Sequence, residues 1–246
     1  MVKIFIDFDG TVTKKDVGDE LFRVFSRTSI ESYLAEYRRG NLSAVSCYRL
    51  QAESCGSLNR RNLDDLISEQ EIDSSVLDFF DFCRQNGMEC RIVSDGMDYY
   101  IKKILNKSGL GRVPFYANRL ELVPYDSDGR VCMKISFPYT DEECDRCACC
   151  KRNIMLTRCA DEDLIMYIGE GYSDRCPVRY ADVVFAKDEL RRFCQHNKIP
   201  HFEYKSFSDI IRFLNEFRCG TVRELTKRFK KRRQAQIACR DVFIGG

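Results

Sequence analysis

Asp7 and Asp9 stand two residues apart, directly after a short apolar run at 2–6. In an extended segment this spacing places both side chains on the same side. A carboxylate can attack a phosphate monoester and form a covalent aspartyl-phosphate. A second carboxylate two residues further on can, when protonated, donate to the leaving alkoxide and then accept a proton from water. The pair therefore has the residue types and the spacing for phosphate-ester hydrolysis.

Other polar side chains stand near later apolar runs. Ser94 ends a second run, the segment GEGYSD at 169–174 ends a third, and Lys151 opens the helix that leads into the third. Because a phosphate monoester is anionic, an attacking carboxylate needs the repulsion between the two charges to be cancelled. Mg²⁺ held by one or two carboxylates and by phosphate oxygens would cancel it. Lys151 and the donors around Ser94 would stabilise charge on the phosphoryl oxygens.

Four apolar runs predict buried strands, at 2–6, 90–94, 164–169 and 182–186. Stretches with helical spacing lie between them, which is typical of a parallel sheet with helices on both faces. In such a sheet the carboxyl ends of the strands meet at one edge, so the acids, the hydroxyl and the ammonium group should converge there. We predict an α/β fold with a doubly wound, Rossmann-like parallel sheet.

The chain between the first two strands is much longer than their connection requires. More than eighty residues separate Asp7 from Ser94, whereas a parallel crossover needs only about a dozen. Four stretches of helical spacing predict an inserted four-helix cap at 14–72. A smaller insert at 114–143 predicts a β-excursion, because the Asp-Gly of its turn YDSDGR is a hairpin signal.

The predicted domains are a core, a cap and a basic tail, at 1–13 with 73–217, at 14–72 and at 218–246. The formal net charge of the whole chain is +2, yet the tail has nine Lys or Arg against two acids. The tail could be a polyanion or nucleic-acid patch. Val222, Leu225 and Phe229 at helical spacing favour a solvated amphipathic helix instead. We expect no nucleic-acid partner.

Four segments resemble, in order and spacing, the motifs of haloacid-dehalogenase-type phosphohydrolases. They are DFDGT at 7–11, Ser94, Lys151 and GEGYSD at 169–174. The resemblance extends from residue 2 to about residue 217. It implies that Asp7 is the nucleophile and Asp9 the acid and base, with Ser94 and Lys151 as catalytic partners. The phosphatases of the family keep the second Asp of DFDGT and its dehalogenases lack it, so the resemblance implies a phosphatase.

The resemblance also implies a Mg²⁺ site. Asp7, the backbone carbonyl of Asp9 and Glu170 would hold the ion, supported by Asp174. Glu170 is a departure, because the family usually has Asp at this position. A glutamate can also bind Mg²⁺ through its oxygens.

Two further features refine the resemblance. The helical insert after the first motif resembles the phosphoserine-phosphatase-like subgroup. The β-excursion and the run CDRCACCK before Lys151 are similar to the methionine-salvage phosphatase acting on hydroxy-keto-methylthiopentenyl phosphate and to phosphocholine/phosphoethanolamine phosphatases. Asp16 falls where phosphoserine phosphatases place an acid that reads the substrate, although it could simply be the N-cap of the first helix of the insert, because it precedes the apolar stripe. Thr11, Asp16 and Gly96 are our predicted substrate contacts.

Cysteine is abundant, with fourteen residues, and four of them cluster at Cys144, Cys147, Cys149 and Cys150. Cys144-x-x-Cys147 has zinc-knuckle spacing, but a second Cys-x-x-Cys pair is missing. A zinc site, a disulfide and reduced packing thiols remain open interpretations.

Composition excludes a membrane protein, because 32% of the residues are charged and no apolar run reaches the ~18 residues of a spanning helix. The first apolar run is too short for a signal peptide, so we expect a cytoplasmic protein. The expected activity is Mg²⁺-dependent hydrolysis of a small phosphorylated metabolite through an aspartyl-phosphate, with the cap closing to exclude water. The alternative is a catalytically silent binding protein that acts through its basic tail or its cysteine cluster.

Overall fold

The computed structural model describes residues 1–142, 144 and 146–217. Its strands are β1 Val2–Ile6, β2 Ser57–Asn59, β3 Glu89–Met97, β4 Phe115–Pro124, β5 Arg130–Ser136, β6 Leu164–Gly169, β7 Val183–Ala186 and β8 Phe202–Glu203. Its α-helices are α1 Val17–Phe25, α2 Glu31–Arg39, α3 Ala44–Cys55, α4 Arg60–Ser68, α5 Val76–Gln85, α6 Asp98–Lys107, α7 Lys151–Thr157, α8 Asp188–His196 and α9 Phe207–Phe217. Two short 3₁₀ helices, Tyr172–Arg175 and Pro177–Arg179, follow β6.

The chain divides into two compact units. The first unit comprises Met1–Asp7, Asp73–Ile92 and the described residues from Lys151 onward, and the second comprises Phe8–Ile72 and Val93–Cys150. The division therefore cuts β3 after Ile92. The predicted cap, 14–72, lies wholly within the second unit. The boundaries of the core, cap and tail remain predictions.

A parallel sheet forms the centre of the first unit. β1 pairs in parallel with the start of β3 on one side and with β6 on the other, and β7 and β8 extend the sheet beyond β6. Ile4, Phe5 and Ile6 of β1 and every residue of β6 are buried, as expected for strands covered on both faces. This arrangement confirms the predicted α/β fold and its parallel sheet.

Aromatic side chains pack the helices of the first unit against one another and against the sheet. The ring of Phe79 in α5 lies 5.0 Å from that of Phe207 at the start of α9. Phe213, two turns further along α9, packs 5.1 Å from Phe185 of β7 and 4.2 Å from Phe202 of β8. The strand β8 is only two residues long and was not predicted, because its apolar signal is a single phenylalanine.

In the second unit, α1, α2, α3 and α4 occupy the first insert and confirm the predicted four helices. The β-excursion is also confirmed, since β4 and β5 form an antiparallel pair. Two details differ from the prediction. The three-residue strand β2 interrupts the helices and pairs antiparallel with β5, and β3 continues to Met97, so Ser94 and Gly96 lie within the strand rather than beyond its end.

No helix of the described residues is long and apolar enough to cross a membrane. The basic tail at 218–246, including the predicted helical stripe of Val222, Leu225 and Phe229, lies outside the described residues.

Candidate active site

A buried lysine organises the acids of the first unit. The ammonium of Lys151, the first residue of α7, donates to Asp7 Oδ1 at 2.6 Å, to Asp174 Oδ1 at 2.7 Å and to Ser173 Oγ at 2.8 Å. Its side chain is only 1% exposed. An ammonium group has three protons, so these three acceptors match its donors. The structure thus brings Asp7, Lys151 and Asp174 together as predicted.

Asp174 is held from every side by polar groups. Its Oδ1 also accepts from the Tyr167 hydroxyl at 2.5 Å, while Oδ2 accepts from the backbone N–H groups of Glu170 at 2.9 Å and Gly171 at 3.0 Å. Residue 169 must be a glycine for Asp174 to lie this close to the backbone, because a Cβ at residue 169 would lie 2.4 Å from Asp174 Oδ2. Buried charges need such pairing and hydrogen bonding to be tolerated.

Glu170 lies in the loop that follows β6 and is half-buried. Burial raises the pKa of its carboxyl group to about 7, and the neighbouring carboxylates of Asp174 and Asp188 add to the rise. The backbone carbonyl of Glu170 accepts from Leu190 N–H at 2.6 Å, which fixes the loop against α8. Several carboxylates therefore repel one another here, and a bound cation would relieve that repulsion.

Asp9, Ser94 and Gly96 come together in the second unit. Asp9 Oδ2 accepts from the Ser94 hydroxyl at 3.2 Å and from the Tyr100 hydroxyl at 2.8 Å, and Oδ1 accepts from Val17 N–H at 3.1 Å. The backbone N–H of Gly96 donates to Ser94 Oγ at 2.8 Å. Asp9 is thus held by hydroxyl and backbone donors.

Two tyrosines lie within the field of the acids in this unit. Burial raises the pKa of Tyr48 and of Tyr100 well above the usual range. The charges of Asp9 and Asp16 raise both pKa values further, and Asp95 adds to the effect on Tyr48. Both phenols therefore stay protonated and can donate hydrogen bonds.

Asp16 is the N-cap of α1, and its Oδ1 accepts from Asp19 N–H at 2.8 Å. The helix-cap interpretation is therefore confirmed, while substrate contact stays a prediction. Asp95 accepts from the backbone N–H of Cys149 at 2.7 Å, two residues before Lys151. Thr11 is fully buried, and its N–H donates to the Phe8 carbonyl at 3.2 Å.

Sequence reasoning missed four side chains in these two clusters: Ser173, Tyr167, Tyr100 and Tyr48. A signal was present for one of them, Tyr167, and not for Tyr100. Tyr167 is the one hydroxyl in the apolar strand LIMYIG, and a buried tyrosine hydroxyl normally finds a partner. Tyr100 lies three residues after Met97 on the apolar face of α6, where periodicity alone makes it a packing residue.

The cysteine cluster gains no support as a zinc site. No group of three or more His, Cys, Asp or Glu among residues 1–142, 144 and 146–217 is arranged to hold a metal ion. Cys149 and Cys150 are buried, and the sulfur of Cys150 lies 3.9 Å from Asp141 Oδ2.

The family model described as Putative Phosphatase matches residues 2–209. The chain belongs to this family. It is a phosphatase of the haloacid-dehalogenase superfamily, as the four motifs predicted, and most of its described residues fall within the match. The family assignment also confirms the predicted enzyme class, a phosphoric monoester hydrolase.

Curated relatives and solved structures agree with this family assignment. A 2-hydroxy-3-keto-5-methylthiopentenyl-1-phosphate phosphatase of Brevibacillus brevis is 28% identical over 216 residues, which cover 87% of this chain and 95% of the relative. The enzyme of the same name from Bacillus mycoides is 26% identical, with 85% and 94% covered. The fold is similar to a phosphoserine phosphatase solved as a phospho-aspartyl intermediate analogue, with a TM-score of 0.66 and 19% identity. The match covers 86% of this chain and 98% of that structure's chain.

The donors of this phosphatase fit magnesium in chemical type, although no three carboxylates of the described residues are arranged as a metal-binding group. Asp7, Glu170 and Asp174 offer only carboxylate oxygens, which are the ligands that a hard cation prefers. Burial, together with the neighbouring carboxylates of Asp174 and Asp188, raises the pKa of Glu170, so a positive charge would be stabilised here. In the described residues the Lys151 ammonium supplies part of that charge, because it bridges Asp7 and Asp174.

Proposed function

We propose that this phosphatase hydrolyses a small phosphate monoester through an aspartyl-phosphate formed on Asp7, with Mg²⁺ as cofactor. The observation that carries the proposal is the buried contact of Asp7 Oδ1 with the Lys151 ammonium at 2.6 Å. A carboxylate that ends a buried strand beside a fixed cation is suited to receive an anionic phosphoryl group.

Lys151 has the electrostatic role in this proposal. Its ammonium offsets the repulsion between the Asp7 carboxylate and the phosphate oxygens, and it stabilises the charge that develops on those oxygens. Asp174 and Ser173 hold the ammonium in place from the other side. Because the donors are fixed before the reaction, little reorganisation is needed when the phosphoryl group transfers.

Asp9 is the proposed acid and base, and it follows Asp7 by two residues in the chain. In the first half of the reaction its carboxyl group donates a proton to the leaving oxygen, and in the second half it accepts one from the attacking water. Ser94 and the backbone around Gly96 are proposed phosphate contacts, and Thr11 and Asp16 are proposed contacts to the rest of the substrate.

Asp7, Glu170 and Asp174 are the proposed side-chain ligands of Mg²⁺, with the backbone carbonyl of Asp9 as a further ligand. When bound, the ion would neutralise charge on the nucleophile and the phosphate together. Chelation should therefore abolish turnover, and added Mg²⁺ should restore it. Full restoration by zinc with none by magnesium would contradict the oxygen-ligand assignment.

The substrate is proposed from the relatives' names. 2-Hydroxy-3-keto-5-methylthiopentenyl-1-phosphate is the first compound to test, beside serine, choline, ethanolamine and sugar phosphates. Three further statements remain predictions: the cytoplasmic location, the small-metabolite partner and the absence of a nucleic-acid partner.

Phosphate release from this panel, scored as kcat/KM with Mg²⁺ present, tests the proposal. Asp7→Asn should abolish turnover and leave the protein folded, because an amide is a poor nucleophile. Asp81→Asn is the matched control, since Asp81 is exposed and pairs with Arg84 on the surface of α5. A wild-type chain that releases no phosphate from any compound would favour the catalytically silent alternative. An Asp7→Asn variant that keeps a tenth of wild-type activity would remove Asp7 as nucleophile.

A further inference from the structure

We infer that Tyr100 is a positioning residue for the reaction, fixing the carboxyl group of Asp9 through its hydroxyl. The inference rests on the proposed function and assigns to that reaction a residue that none of the four motifs contains.

The contact between the two side chains is short and partly buried, with the tyrosine as its buried partner. The Tyr100 hydroxyl donates to Asp9 Oδ2 at 2.8 Å, and the tyrosine side chain is 0% exposed. Its ring packs beside that of Phe8, with centroids 6.2 Å apart. The first residue of α6, Asp98, accepts from Leu120 N–H at 2.9 Å, which fixes the start of the helix that carries Tyr100. The hydroxyl is therefore held where it is by packing on more than one side.

Two glycines leave space for this contact. A Cβ on Gly96 would lie 1.9 Å from the Tyr100 hydroxyl and 2.4 Å from Asp9 Oδ2. A Cβ on Gly18 would lie 3.3 Å from the same hydroxyl. Real Cβ atoms do not approach other atoms as closely as the first pair, so Gly96 is required for the hydroxyl and the carboxylate to meet. The local backbone is thus built around the Tyr100–Asp9 pair.

Between them, Val17, Ser94 and Tyr100 donate to both oxygens of Asp9. The Val17 N–H reaches Oδ1, whereas Ser94 and Tyr100 both reach Oδ2. The tyrosine contact, at 2.8 Å, is shorter than the serine contact at 3.2 Å. An aspartate carboxyl group rotates broadly about its last side-chain bond unless hydrogen bonds hold it. The Tyr100 hydroxyl is therefore the closer of the two side-chain donors that set the plane of this group.

Proton transfer depends strongly on that plane. A general acid must lie within hydrogen-bond reach of the leaving oxygen, and a misplacement of about 1 Å can cost roughly 10²-fold in rate. The Tyr100 hydroxyl makes no bond to the substrate in this scheme. Its effect on turnover passes through Asp9.

The test compares Tyr100→Phe with Tyr99→Phe. Tyr99 is the matched control, because it stands one residue earlier and its hydroxyl donates to another aspartate, Asp64, at 2.7 Å. For an alkyl phosphate, Tyr100→Phe should lower kcat about tenfold, the size expected for one lost hydrogen bond to a charged group. KM should change less than about twofold, because binding does not use this hydroxyl. Tyr99→Phe should change neither constant.

The leaving group supplies a readout that a purely structural role would not move. p-Nitrophenolate departs without a proton, so Tyr100→Phe should slow the burst of p-nitrophenol, which reports the first step alone, less than single-turnover release of an alkyl alcohol. Equal losses in this first step with alkyl and aryl phosphates, or a loss confined to KM, would overturn the inference.

A double-mutant cycle separates positioning from an independent role. In the Asp9→Asn background, which has no proton to position, adding Tyr100→Phe should lower kcat for alkyl phosphates less than about twofold. A full tenfold further loss would overturn the inference while leaving the proposed function intact. A wild-type chain without phosphatase activity would overturn both, so the two failures are distinguishable.

Discussion

The two units hold their central carboxylates by different means. In the first unit an ammonium group, Lys151, binds Asp7 and Asp174. In the second, Asp9 is held by the hydroxyls of Ser94 and Tyr100 and by a backbone N–H. A fixed cation suits a carboxylate that must face an anionic phosphate. Neutral donors orient a carboxylate and still leave it able to exchange a proton. The contrast matches the division of labour proposed for Asp7 and Asp9.

The largest effect is expected from breaking the charged cluster. Lys151→Met would leave Asp7 and Asp174 buried beside each other without their cation, and breaking a buried pair in this way costs about 3–5 kcal/mol of unfolding free energy. Turnover should fall by about 10²–10³-fold, because a fixed donor to the transition state is lost. Urea unfolding and steady-state kinetics measure the two effects. Lys3→Met is the control, since Lys3 pairs with Glu89 in the same sheet outside the cluster.

A Lys151→Met variant with wild-type stability would show that the cluster is held by other contacts. Lys151→Arg sharpens the test, because the charge is kept but the planar guanidinium cannot reproduce three bonds to Asp7, Ser173 and Asp174. We expect Lys151→Arg to recover part of the stability and little of the turnover. Full recovery of turnover would mean that charge alone matters at this position.

The next effect tests the neutral cluster. Asp9→Asn cannot supply a proton, so hydrolysis of alkyl phosphates should fall about 10²-fold or more, within the usual range for general acid–base catalysis. With p-nitrophenyl phosphate the rate of the first step should fall less. The phospho-enzyme should then accumulate, because the second step needs the base. Rapid-mixing absorbance should show a burst of p-nitrophenolate followed by slow turnover. Equal declines without a burst would assign Asp9 to metal binding instead.

A smaller effect is expected within the first cluster from a neutral donor. Tyr167→Phe removes the hydroxyl that donates to Asp174 Oδ1 at 2.5 Å and leaves the Lys151 contacts in place. A hydrogen bond to a charged group is worth about 1.5–3 kcal/mol, so thermal and urea unfolding should shift by that amount. Because Asp174 is a proposed Mg²⁺ ligand, the Mg²⁺ concentration for half-maximal activity should rise. Tyr204→Phe is the control, since its hydroxyl donates to the Gly169 carbonyl over a longer distance, 3.4 Å, and does not contact Asp174 Oδ1 as Tyr167 does.

The same contrast shows what the sequence could predict. The fold followed from periodicity, because β6 is an apolar run, β1 is apolar apart from Lys3, and α9 has a regular apolar stripe. Lys151, Asp7 and Asp174 followed from motif order, since parallel strands bring their carboxyl ends to one edge. The strand β2 could not be predicted, because three residues hold no period and their pairing with β5 is a tertiary contact. The role of Tyr100 could not be predicted for a related reason. Its ring packs on the apolar face of α6, and the contact of its hydroxyl with Asp9 is a tertiary contact.

The smallest effect concerns Asp16, where two roles must be separated within one side chain. Its Oδ1 caps α1 by accepting from Asp19 N–H at 2.8 Å, and loss of such a cap costs about 0.5–2 kcal/mol. Asp16→Ser keeps a good N-cap but removes the charge, whereas Asp16→Ala removes both. If Asp16 also reads the substrate, both variants should raise KM for the natural phosphate by several-fold, and only Asp16→Ala should lower stability.

For p-nitrophenyl phosphate, which has no polar group for Asp16 to read, Asp16→Ser should leave KM unchanged. Asp16 lies close enough to Tyr48 and Tyr100 for its charge to raise the pKa of both phenols. A rise in KM that is the same for both phosphates would return Asp16 to the cap role alone, because a displaced helix would disturb every substrate alike. A rise confined to the natural phosphate and present in Asp16→Ser, with unfolding unchanged, would assign the effect to the lost carboxylate group and not to the helix cap.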